Sequence, residues 1–417
     1  MRGLHLLGLG AFLAAPLTVA RVLAVLDELS TTSTFAHLWQ SLEERGQQVV
    51  VSTPQDAAIQ LRLEGNSIDH LIVFTPATKQ LPAELSPQAL ARRLESGTNL
   101  VLVASPDTPE LWRDFAREFE VEFDDRGQHV VDHFNFDPVG DDGSHSLLSV
   151  PIDQAPSPFT SSSTRAGPAV LYRGAGHTAG RHPLLSPVLR ARSTAFVADA
   201  ASAAPPEDLR STGTSIALVS AFQARNNARA LFAGSFELFS DDLMGRADAG
   251  NLAFAGDLLS WVLQKTGQLR VVDLQYREVG SDRPQASYRT GANLELEVTV
   301  ATTPAYTADD LQVEFSMLDP HLRLPLSRTS MPTHPTDNVT TFEAAFVVPD
   351  RHGVFTLSID HRRPGWSSLR VDKVISITPP RHDEYERFIT GALPYYGGAA
   401  SVSAAFLVFV VLWSLQS

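Results

Sequence analysis

The feature that most limits how this chain can fold is an uncharged apolar segment near its C-terminus. Residues 397–415 read GGAASVSAAFLVFVVLWSL, without one charged side chain. A helix of this length, rising about 1.5 Å per residue, nearly spans a hydrocarbon core of about 30 Å. Tyr395 and Tyr396 precede it and Trp413 lies near its end, where aromatic residues favour membrane interfaces. The sequence therefore predicts a transmembrane helix over 397–415. A buried soluble helix and a lipid-anchor signal are the alternatives.

A second apolar segment, at the N-terminus, has the pattern of a secretory signal peptide. Arg2 precedes an apolar stretch over 4–17, and small residues within 18–20 stand where signal peptidase cleaves. A first core strand or helix is the alternative, but the apolar run stops at Arg21. We expect residues 1–20 to be removed.

These two segments together predict type I topology. Residues 21–396 would then lie on the lumenal side, and 416–417 would form the cytoplasmic tail. The Lys/Arg excess that usually marks the cytoplasmic side is missing, so the predicted orientation depends on the signal peptide.

Composition excludes several classes of function. The 47 acidic residues outnumber the 33 basic ones, and no run of Lys and Arg makes any part of the chain strongly positive. This negative charge disfavours binding to the phosphate backbone of a nucleic acid. Cysteine is absent, so disulfides, thiolate metal sites and a cysteine nucleophile are excluded. A chain of 417 residues exceeds what one core usually supports, which favours two folded domains.

The first part of the mature chain alternates between strand-like and helical patterns. The apolar strand-like runs are 22–26, 49–51, 71–74 and 100–104, and the helical patterns are 34–45 and 87–96. Strands this uniformly apolar imply a parallel sheet covered on both faces. The sequence predicts an α/β domain over 21–266, with a flavodoxin-like or amidotransferase-like parallel sheet.

The predicted α/β domain also contains a less regular segment and a hairpin. Residues 139–206 are rich in Ser, Pro, Gly and Ala, so we expect an insertion of loops and short strands there. Strand-like runs over 215–223 and 230–235 are separated by Ala-Arg-Asn-Asn, and Asn tolerates the positive φ of a tight hairpin. A helix is predicted over 251–265.

After residue 267 the pattern changes to alternation of polar and apolar residues. Short alternating runs separated by Gly and Pro, with no helical pattern between them, predict a β-sandwich over 267–380. Residues 381–396 would form a juxtamembrane segment.

Candidate catalytic residues are few and poorly supported. Ser105 follows a predicted strand, but no Gly-x-Ser-x-Gly surrounds it. Pro106 cannot donate the backbone N–H that an oxyanion hole needs. The pair Asp132-His133 could act as a base or a metal ligand, but no second His stands at ligand spacing nearby.

Paired carboxylates could serve glycoside hydrolysis, although solvation or helix capping is their commoner role. These pairs are Asp27-Glu28, Asp124-Asp125, Asp141-Asp142 and Asp241-Asp242. No Walker loop and no Gly-x-Gly-x-x-Gly follows the first strand, so cofactor use is unsupported. Asn338-Val339-Thr340 is a candidate N-glycosylation site.

Several uncommon strings resemble the 48 kDa (DDOST) subunit family of oligosaccharyltransferase. They are Gln223-Ala224-Arg225-Asn226-Asn227-Ala228-Arg229 running on to Gly234-Ser235-Phe236-Glu237-Leu238-Phe239-Ser240-Asp241, Tyr385-Glu386-Arg387-Phe388, Pro394-Tyr395-Tyr396, Asp132-His133-Phe134-Asn135, Tyr172-Arg173-Gly174 and the opening strand and helix over 22–46. The likeness covers most of the mature chain in the same order and weakens across about 155–210 and 280–340.

The resemblance implies a lumenal subunit of the endoplasmic reticulum complex that moves a preassembled glycan from dolichyl diphosphate to Asn in Asn-x-Ser/Thr acceptors. The family is not itself catalytic. Its implied partners are a multi-spanning catalytic subunit with a Trp-Trp-Asp-Tyr-Gly motif, ribophorin-type subunits and small membrane subunits. That motif is not present here. Relatives commonly end in a Lys-bearing tail, whereas this chain ends in Ser417, so retention would depend on partners.

Two groups of residues are candidate contacts with a partner subunit or glycan. The hairpin group is Gln223, Arg225, Asn226, Asn227 and Arg229, and the membrane-proximal group is Tyr385, Arg387, Phe388, Tyr395 and Tyr396. The first group could instead only orient its strands, and the second could be ordinary interfacial anchoring. A lumenal glycan hydrolase and a cell-surface receptor are the rival functions that the same layout permits.

Overall fold

The computed structural model describes residues 20–77, 81–199, 211–281, 283–318, 320–330, 339–385 and 387–416. Residues 1–19 of the expected signal peptide and the candidate glycosylation site Asn338 lie outside these ranges.

The first two thirds of the described chain contain strands and helices in alternation. The strands are β1 (Arg21–Val25), β2 (Gln48–Ser52), β3 (His70–Phe74), β4 (Asn99–Val103), β5 (Val121–Phe123), β6 (Gln128–Val131), β7 (Leu148–Val150), β8 (Val170–Tyr172), β9 (His177–Ala179), β10 (Leu185–Arg190), β11 (Phe196–Asp199), β12 (Ile216–Gln223) and β13 (Arg229–Ala233). The helices are α1 (Ala36–Glu44), α2 (Pro54–Glu64), α3 (Pro87–Ser96), α4 (Glu110–Arg117), α5 (Ser162–Arg165), α6 (Asp241–Met244) and α7 (Asn251–Val262).

The main sheet has the strand order β2-β1-β3-β4-β13-β12-β9-β5, with β10 also paired to β12. The first five strands in this order are mutually parallel, and the remaining pairings are antiparallel. The predicted α/β class with a parallel sheet is confirmed. The segment 139–206 differs from a simple insertion, because β9 and β10 within it hydrogen-bond into the main sheet.

The main sheet is covered on both faces because successive side chains of a strand point to opposite sides. Val22 and Ala24 of β1 belong to a core cluster that includes Phe254 of α7. Leu23 and Val25 of the same strand belong to a second cluster on the other face. This double burial explains why the strands are apolar at every position.

The helix boundaries follow from local capping chemistry, as α3 shows. The hydroxyl of Ser86 accepts a hydrogen bond from the backbone N–H of Ala89 at 3.4 Å, and Pro87 occupies the first turn. Gly97 ends the helix at φ +106°, a conformation that favours glycine.

The following part of the chain forms two sheets that pack around one core. Its strands are β14 (Gln268–Glu278), β15 (Tyr288–Arg289), β16 (Asn293–Thr303), β17 (Gln312–Ser316), β18 (His321–Pro325), β19 (Ser327–Ser330), β20 (Val339–Val347), β21 (Gly353–His361) and β22 (Leu369–Thr378). The sheet orders are β14-β16-β20-β19 and β15-β22-β21-β17-β18. Alternate residues of β16, such as Leu294, Leu296 and Val298, point into the shared core. Alternation was therefore a valid indication of strands buried on one face.

The chain ends in helix α8 (Leu393–Leu415). Among the described residues it is the one helix long and apolar enough to cross a membrane, and none of its residues is buried. It begins four residues before the predicted position 397, because Pro394 fits the first turn of a helix. Tyr395 and Tyr396 therefore belong to the helix itself.

Candidate functional site

The candidate residues between 223 and 229 form the turn of a hairpin at one end of the main sheet. β12 and β13 pair antiparallel, with Gln223 opposite Arg229. Asn227 adopts φ +69°, so the expectation that Asn supplies the positive φ of this turn is confirmed.

Two side chains of this hairpin contact the β-sandwich. The Nε2 amide of Gln223 donates to the backbone carbonyl of Trp366 at 2.6 Å. The Oδ1 of Asn227 accepts from both the backbone N–H and the hydroxyl of Ser368, each at 2.8 Å. The hairpin therefore joins the α/β part to the segment that leads into β22.

Arg229 lies fully inside the protein, with 0% of its surface exposed. Its guanidinium donates to the backbone carbonyls of Thr266 at 2.6 Å, Gly267 at 2.7 Å and Trp261. It also lies 4.7 Å from the centre of the Trp261 ring. Burial lowers the pKa of Arg229 to about 9, which leaves it charged at neutral pH. Arg229 thus holds the stretch of chain that connects α7 to β14.

The other two hairpin candidates are exposed. The Nδ2 of Asn226 donates to the backbone carbonyls of Leu94 and Glu95 at 2.8 Å each, so it binds the C-terminal end of α3. Arg225 makes no hydrogen bond or ion pair with any residue that the structure describes. It is therefore the hairpin side chain most available to a partner molecule.

The second group of candidates lies where the sandwich leads into α8. Tyr385, Phe388, Tyr395 and Tyr396 are between 40% and 80% exposed, and Arg387 is also exposed. The Phe388 and Tyr396 rings stack at a centroid distance of 5.2 Å. These five residues therefore form one exposed, mainly aromatic region at the start of α8.

The connection between the sandwich and this aromatic region is held by one ion pair. The guanidinium of Arg289, in β15, lies 3.0 Å from the carboxylate of Glu384 and also donates to the carbonyl of Pro379 at 3.0 Å. The aromatic region is thus kept close to the end of the sandwich.

Asp132 has a structural role in its turn. Its carboxylate accepts hydrogen bonds from the hydroxyl of Thr194 at 2.7 Å and from the backbone N–H groups of Phe134 and Asn135 at 2.9 and 3.1 Å. Burial raises the pKa of Asp132, but these hydrogen bonds outweigh burial and lower it overall. Its sequence neighbour His133 is paired elsewhere, with His145 at 2.6 Å between their Nδ1 atoms.

The paired carboxylates that could serve hydrolysis also include residues with structural roles. Asp241 accepts from the backbone N–H groups of Ala36 and His37 at 2.9 and 2.7 Å and so caps α1. Asp141 accepts from the backbone N–H groups of Ser146 and Leu147 at 3.0 Å each. Within the described ranges no cluster of three His, Cys, Asp or Glu side chains could hold a metal ion.

A cleft of about 430 Å³ lies at the carboxyl ends of β1 and β3. The chain leaves β1 toward β2 on one side and later enters β3 on the other, so this is the point where the strand order reverses. Open α/β sheets bind ligands at such a point. The floor is formed by Phe35, Phe74 and Phe236, whose rings lie 4.5 Å (Phe35 to Phe74) and 5.4 Å (Phe74 to Phe236) apart.

The rim of this cleft is polar. It carries the carboxylates of Asp27, Glu237 and Asp242 and the guanidinium of Arg173. Arg173 and Glu237 are 3.5 Å apart, and burial raises the pKa of Glu237. Sequence reasoning did not identify this cleft, because its residues come from three distant segments. The one available signal was Asp27 directly after the first apolar strand.

Two of the segments that resemble the family, 172–174 and 234–241, contact each other beside the cleft. The hydroxyl of Ser235 donates to the backbone carbonyl of Arg173 at 2.5 Å, and the carbonyl of Gly234 accepts from Ala175 at 2.9 Å. A Cβ on Gly234 would lie 2.1 Å from the Ala175 oxygen, so only glycine allows this approach. The close contact fixes Arg173 and Phe236 relative to each other.

Comparison with known families matches nearly the whole chain. Residues 13–265 match the model described as "OST48, N-terminal domain", and residues 276–417 match "OST48 middle domain". Among solved structures, a Niemann-Pick type C2 protein from Japanese carpenter ant covers 26% of this chain and 92% of its own, at 12% identity and a TM-score of 0.20. That likeness is too low to carry an argument.

Curated relatives are similar over almost their full length. The dolichyl-diphosphooligosaccharide–protein glycosyltransferase 48 kDa subunit of Arabidopsis thaliana is 34% identical, over 94% of this chain and 92% of the relative. The glycosyltransferase subunit wbp1 of Schizosaccharomyces pombe is 33% identical, over 95% and 92%. The 48 kDa subunit of Danio rerio is 29% identical, over 98% and 95%. The resemblance seen in the sequence is therefore confirmed, and the chain belongs to the OST48 family.

Proposed function

We propose that this chain is a non-catalytic subunit of an oligosaccharyltransferase, which transfers a preassembled glycan from dolichyl diphosphate to Asn of Asn-x-Ser/Thr acceptors. The observation that carries the proposal is the similarity, over more than nine tenths of the chain, to proteins named as subunits of this glycosyltransferase. Helix α8 fits a single-pass membrane protein. Its partners would be the multi-spanning catalytic subunit, ribophorin-type subunits and small membrane subunits.

The proposed location is the endoplasmic reticulum membrane, with residues 21–396 in the lumen in type I orientation. The expected signal peptide over 1–20 supports this orientation. If it is correct, Asn338 belongs to the lumenal part of the chain and is a candidate acceptor.

A positioning role is supported by the structural hydrogen bonds that the candidate catalytic carboxylates make. Asp132, Asp141 and Asp241 accept backbone hydrogen bonds that stabilise turns or helix ends. The hairpin at 223–229 joins the α/β part to the sandwich, and the pair Arg289–Glu384 ties the sandwich to the segment before α8. A body joined in this way orients partners or a glycan for a reaction performed on another subunit.

Affinity purification in mild detergent tests the proposal. The tagged full-length chain should co-purify with a multi-spanning transferase and with glycan transfer activity. The chain purified away from its partners in high salt should have no transfer activity, and adding the partners back should restore it. Recovery of the chain without any transferase, or transfer by the isolated chain, would contradict the proposal.

A further inference from the structure

The cleft at the carboxyl ends of β1 and β3 is the feature that the proposed function leaves unused. Its volume of about 430 Å³ lies in the range of small-ligand sites. It is open at the surface, since Asp27 and Asp242 are exposed, and it is deep, since Phe74 is 2% exposed at its floor. The cleft can therefore receive a ligand.

The carboxylates of the rim make fewer hydrogen bonds within the protein than the neighbouring carboxylate of Asp241 does. Asp241 caps α1, whereas the next residue, Asp242, makes no hydrogen bond to any residue that the structure describes. Asp27 uses Oδ2 to accept from the backbone N–H of Ala77 at 2.7 Å. Glu237 contacts Arg173 only at the long distance of 3.5 Å. Several acceptor atoms therefore remain for a ligand.

The arrangement of donors and acceptors restricts the chemistry of that ligand. Three carboxylates against one guanidinium give the rim a negative charge, which disfavours a phosphate or carboxylate ligand. The guanidinium of Arg173 lines the cleft, and its Nη1 is held only at 3.5 Å from Glu237, so it keeps donor capacity for a ligand. A simple cation would use the acceptors and leave this donor unsatisfied. A hydroxyl group can accept from Arg173 and donate to a carboxylate.

The apolar floor completes the pattern. The half-buried Phe236 packs edge-on against Phe74 and offers apolar surface to the C–H face of a sugar ring, while the rim faces the hydroxyls. We propose that this cleft binds a neutral saccharide through Phe236, Arg173, Glu237 and Asp242. This inference rests on the proposed function for the source of the saccharide, a glycan handled by the complex, and deepens it by naming the residues that hold the sugar.

The test measures binding of maltotriose and of an α-linked mannotriose to the full-length chain in mild detergent, by saturation-transfer NMR and calorimetry. Glucose 6-phosphate and choline serve as anionic and cationic probes. We expect at least one neutral trisaccharide to bind, and the two charged probes not to bind. The double variant Glu237→Gln/Asp242→Asn should weaken that binding by about tenfold or more, since it removes two charged acceptors.

Two further variants make the test specific. Asp350→Asn changes the same kind of exposed carboxylate in the sandwich, after β20, and should leave binding unchanged. Phe236→Leu keeps an apolar side chain but removes the flat ring, and it should weaken saccharide binding. Retained unfolding midpoints would show that the variants are folded.

Three results would overturn the inference: no binding of either trisaccharide, equal binding by the double variant, or preferred binding of choline or glucose 6-phosphate. The test is independent of assembly, because co-purification of the transferase with the double variant is measured separately. If the double variant loses sugar binding but still co-purifies with the transferase, the cleft is supported as the sugar site. If the original chain binds sugar but does not co-purify with a transferase, the inference about the cleft holds and the proposed function is contradicted.

Discussion

The side-chain amide of Gln223 donates a hydrogen bond of 2.6 Å to the backbone carbonyl of Trp366, 143 residues further along the chain. Gln223 is 8% exposed and Trp366 is 5% exposed, so water cannot easily replace the bond. Replacing Gln223 with Ala leaves a buried carbonyl unpaired and should lower the free energy of unfolding by about 1–3 kcal/mol. The measurement is urea unfolding of the full-length chain, followed by tryptophan fluorescence.

The matched control for this change is Gln88→Ala, at an exposed position of α3. It should alter the free energy of unfolding by no more than about 0.5 kcal/mol. If both variants unfold at the same urea concentration as the original chain, the contact between the hairpin and the sandwich contributes nothing measurable.

The two arginines of the hairpin should behave very differently. Arg229→Ala removes hydrogen bonds to three backbone carbonyls at a buried site and should cost about 3 kcal/mol or more. Arg229→Lys keeps the charge but not the planar donor group, so its cost should be intermediate. Arg225→Ala is exposed and should change stability by less than about 0.5 kcal/mol. Equal unfolding midpoints for the two Ala variants would disprove this division of roles.

Gly234 should tolerate no side chain. Gly234→Ala places a Cβ 2.1 Å from the backbone oxygen of Ala175, and relieving that clash should cost about 1–3 kcal/mol. Gly391→Ala is the control, because no atom lies within 4 Å of its Cβ position. Thermal unfolding of the two variants measures the difference. A Gly234→Ala protein as stable as Gly391→Ala would mean that the chain relaxes freely here.

Stability should fall below about pH 6.5 because two histidines are buried in their neutral form. Burial lowers the pKa of His70 to about 4 and that of His177 to about 3, from the ordinary 6.5. Between pH 6.5 and 4 the unfolded chain therefore binds protons at these positions and the folded chain does not. Stability is then present above pH 6.5 and is lost as the pH falls, by roughly 1.4 kcal/mol for each histidine at pH 5.5.

The pH effect can be assigned by comparing unfolding at pH 7.5 and 5.5. His70→Gln retains a polar partner for Asn99, which lies 3.0 Å from the His70 ring, and should reduce the pH-dependent loss by roughly 1.4 kcal/mol. His352→Gln, at an exposed position, is the comparison. An unchanged pH-dependent loss in His70→Gln would exclude His70 as a contributor.

The parallel strands and the sandwich strands could be predicted because burial imposes a simple pattern on each. β3 is apolar from Leu71 to Phe74 because both of its faces are covered, and β16 alternates because one face is covered. The hairpin at 223–229 was also predictable, since Asn227 marks the turn.

The order of the strands could not be predicted from the sequence. The cleft could not be predicted either, because it depends on that order. β13 lies beside β4, with Leu231 opposite Val101, although these residues are far apart in the chain. No local pattern specifies that pairing. The cleft combines residues near 27, 173 and 237, so its existence depends on the strand order.

The environment of Arg229 also had no local signal. An arginine in a polar turn is usually solvated, and only the fold reveals that its donors meet the carbonyls of Thr266 and Gly267. The sequence identified the hairpin as a candidate contact region without separating Arg229, which is enclosed, from Arg225, which is exposed.

The ion pair between Arg289 and Glu384 sets an upper limit on how far the lumenal mass can stand from the lipid if α8 crosses a bilayer. Between Glu384 and the first residue of α8, Leu393, the fully extended backbone reaches roughly 30 Å. The stacked rings of Phe388 and Tyr396 shorten that reach. Any neighbour that lies between the sandwich and the bilayer must therefore fit a gap of less than about 30 Å, the diameter of one small domain.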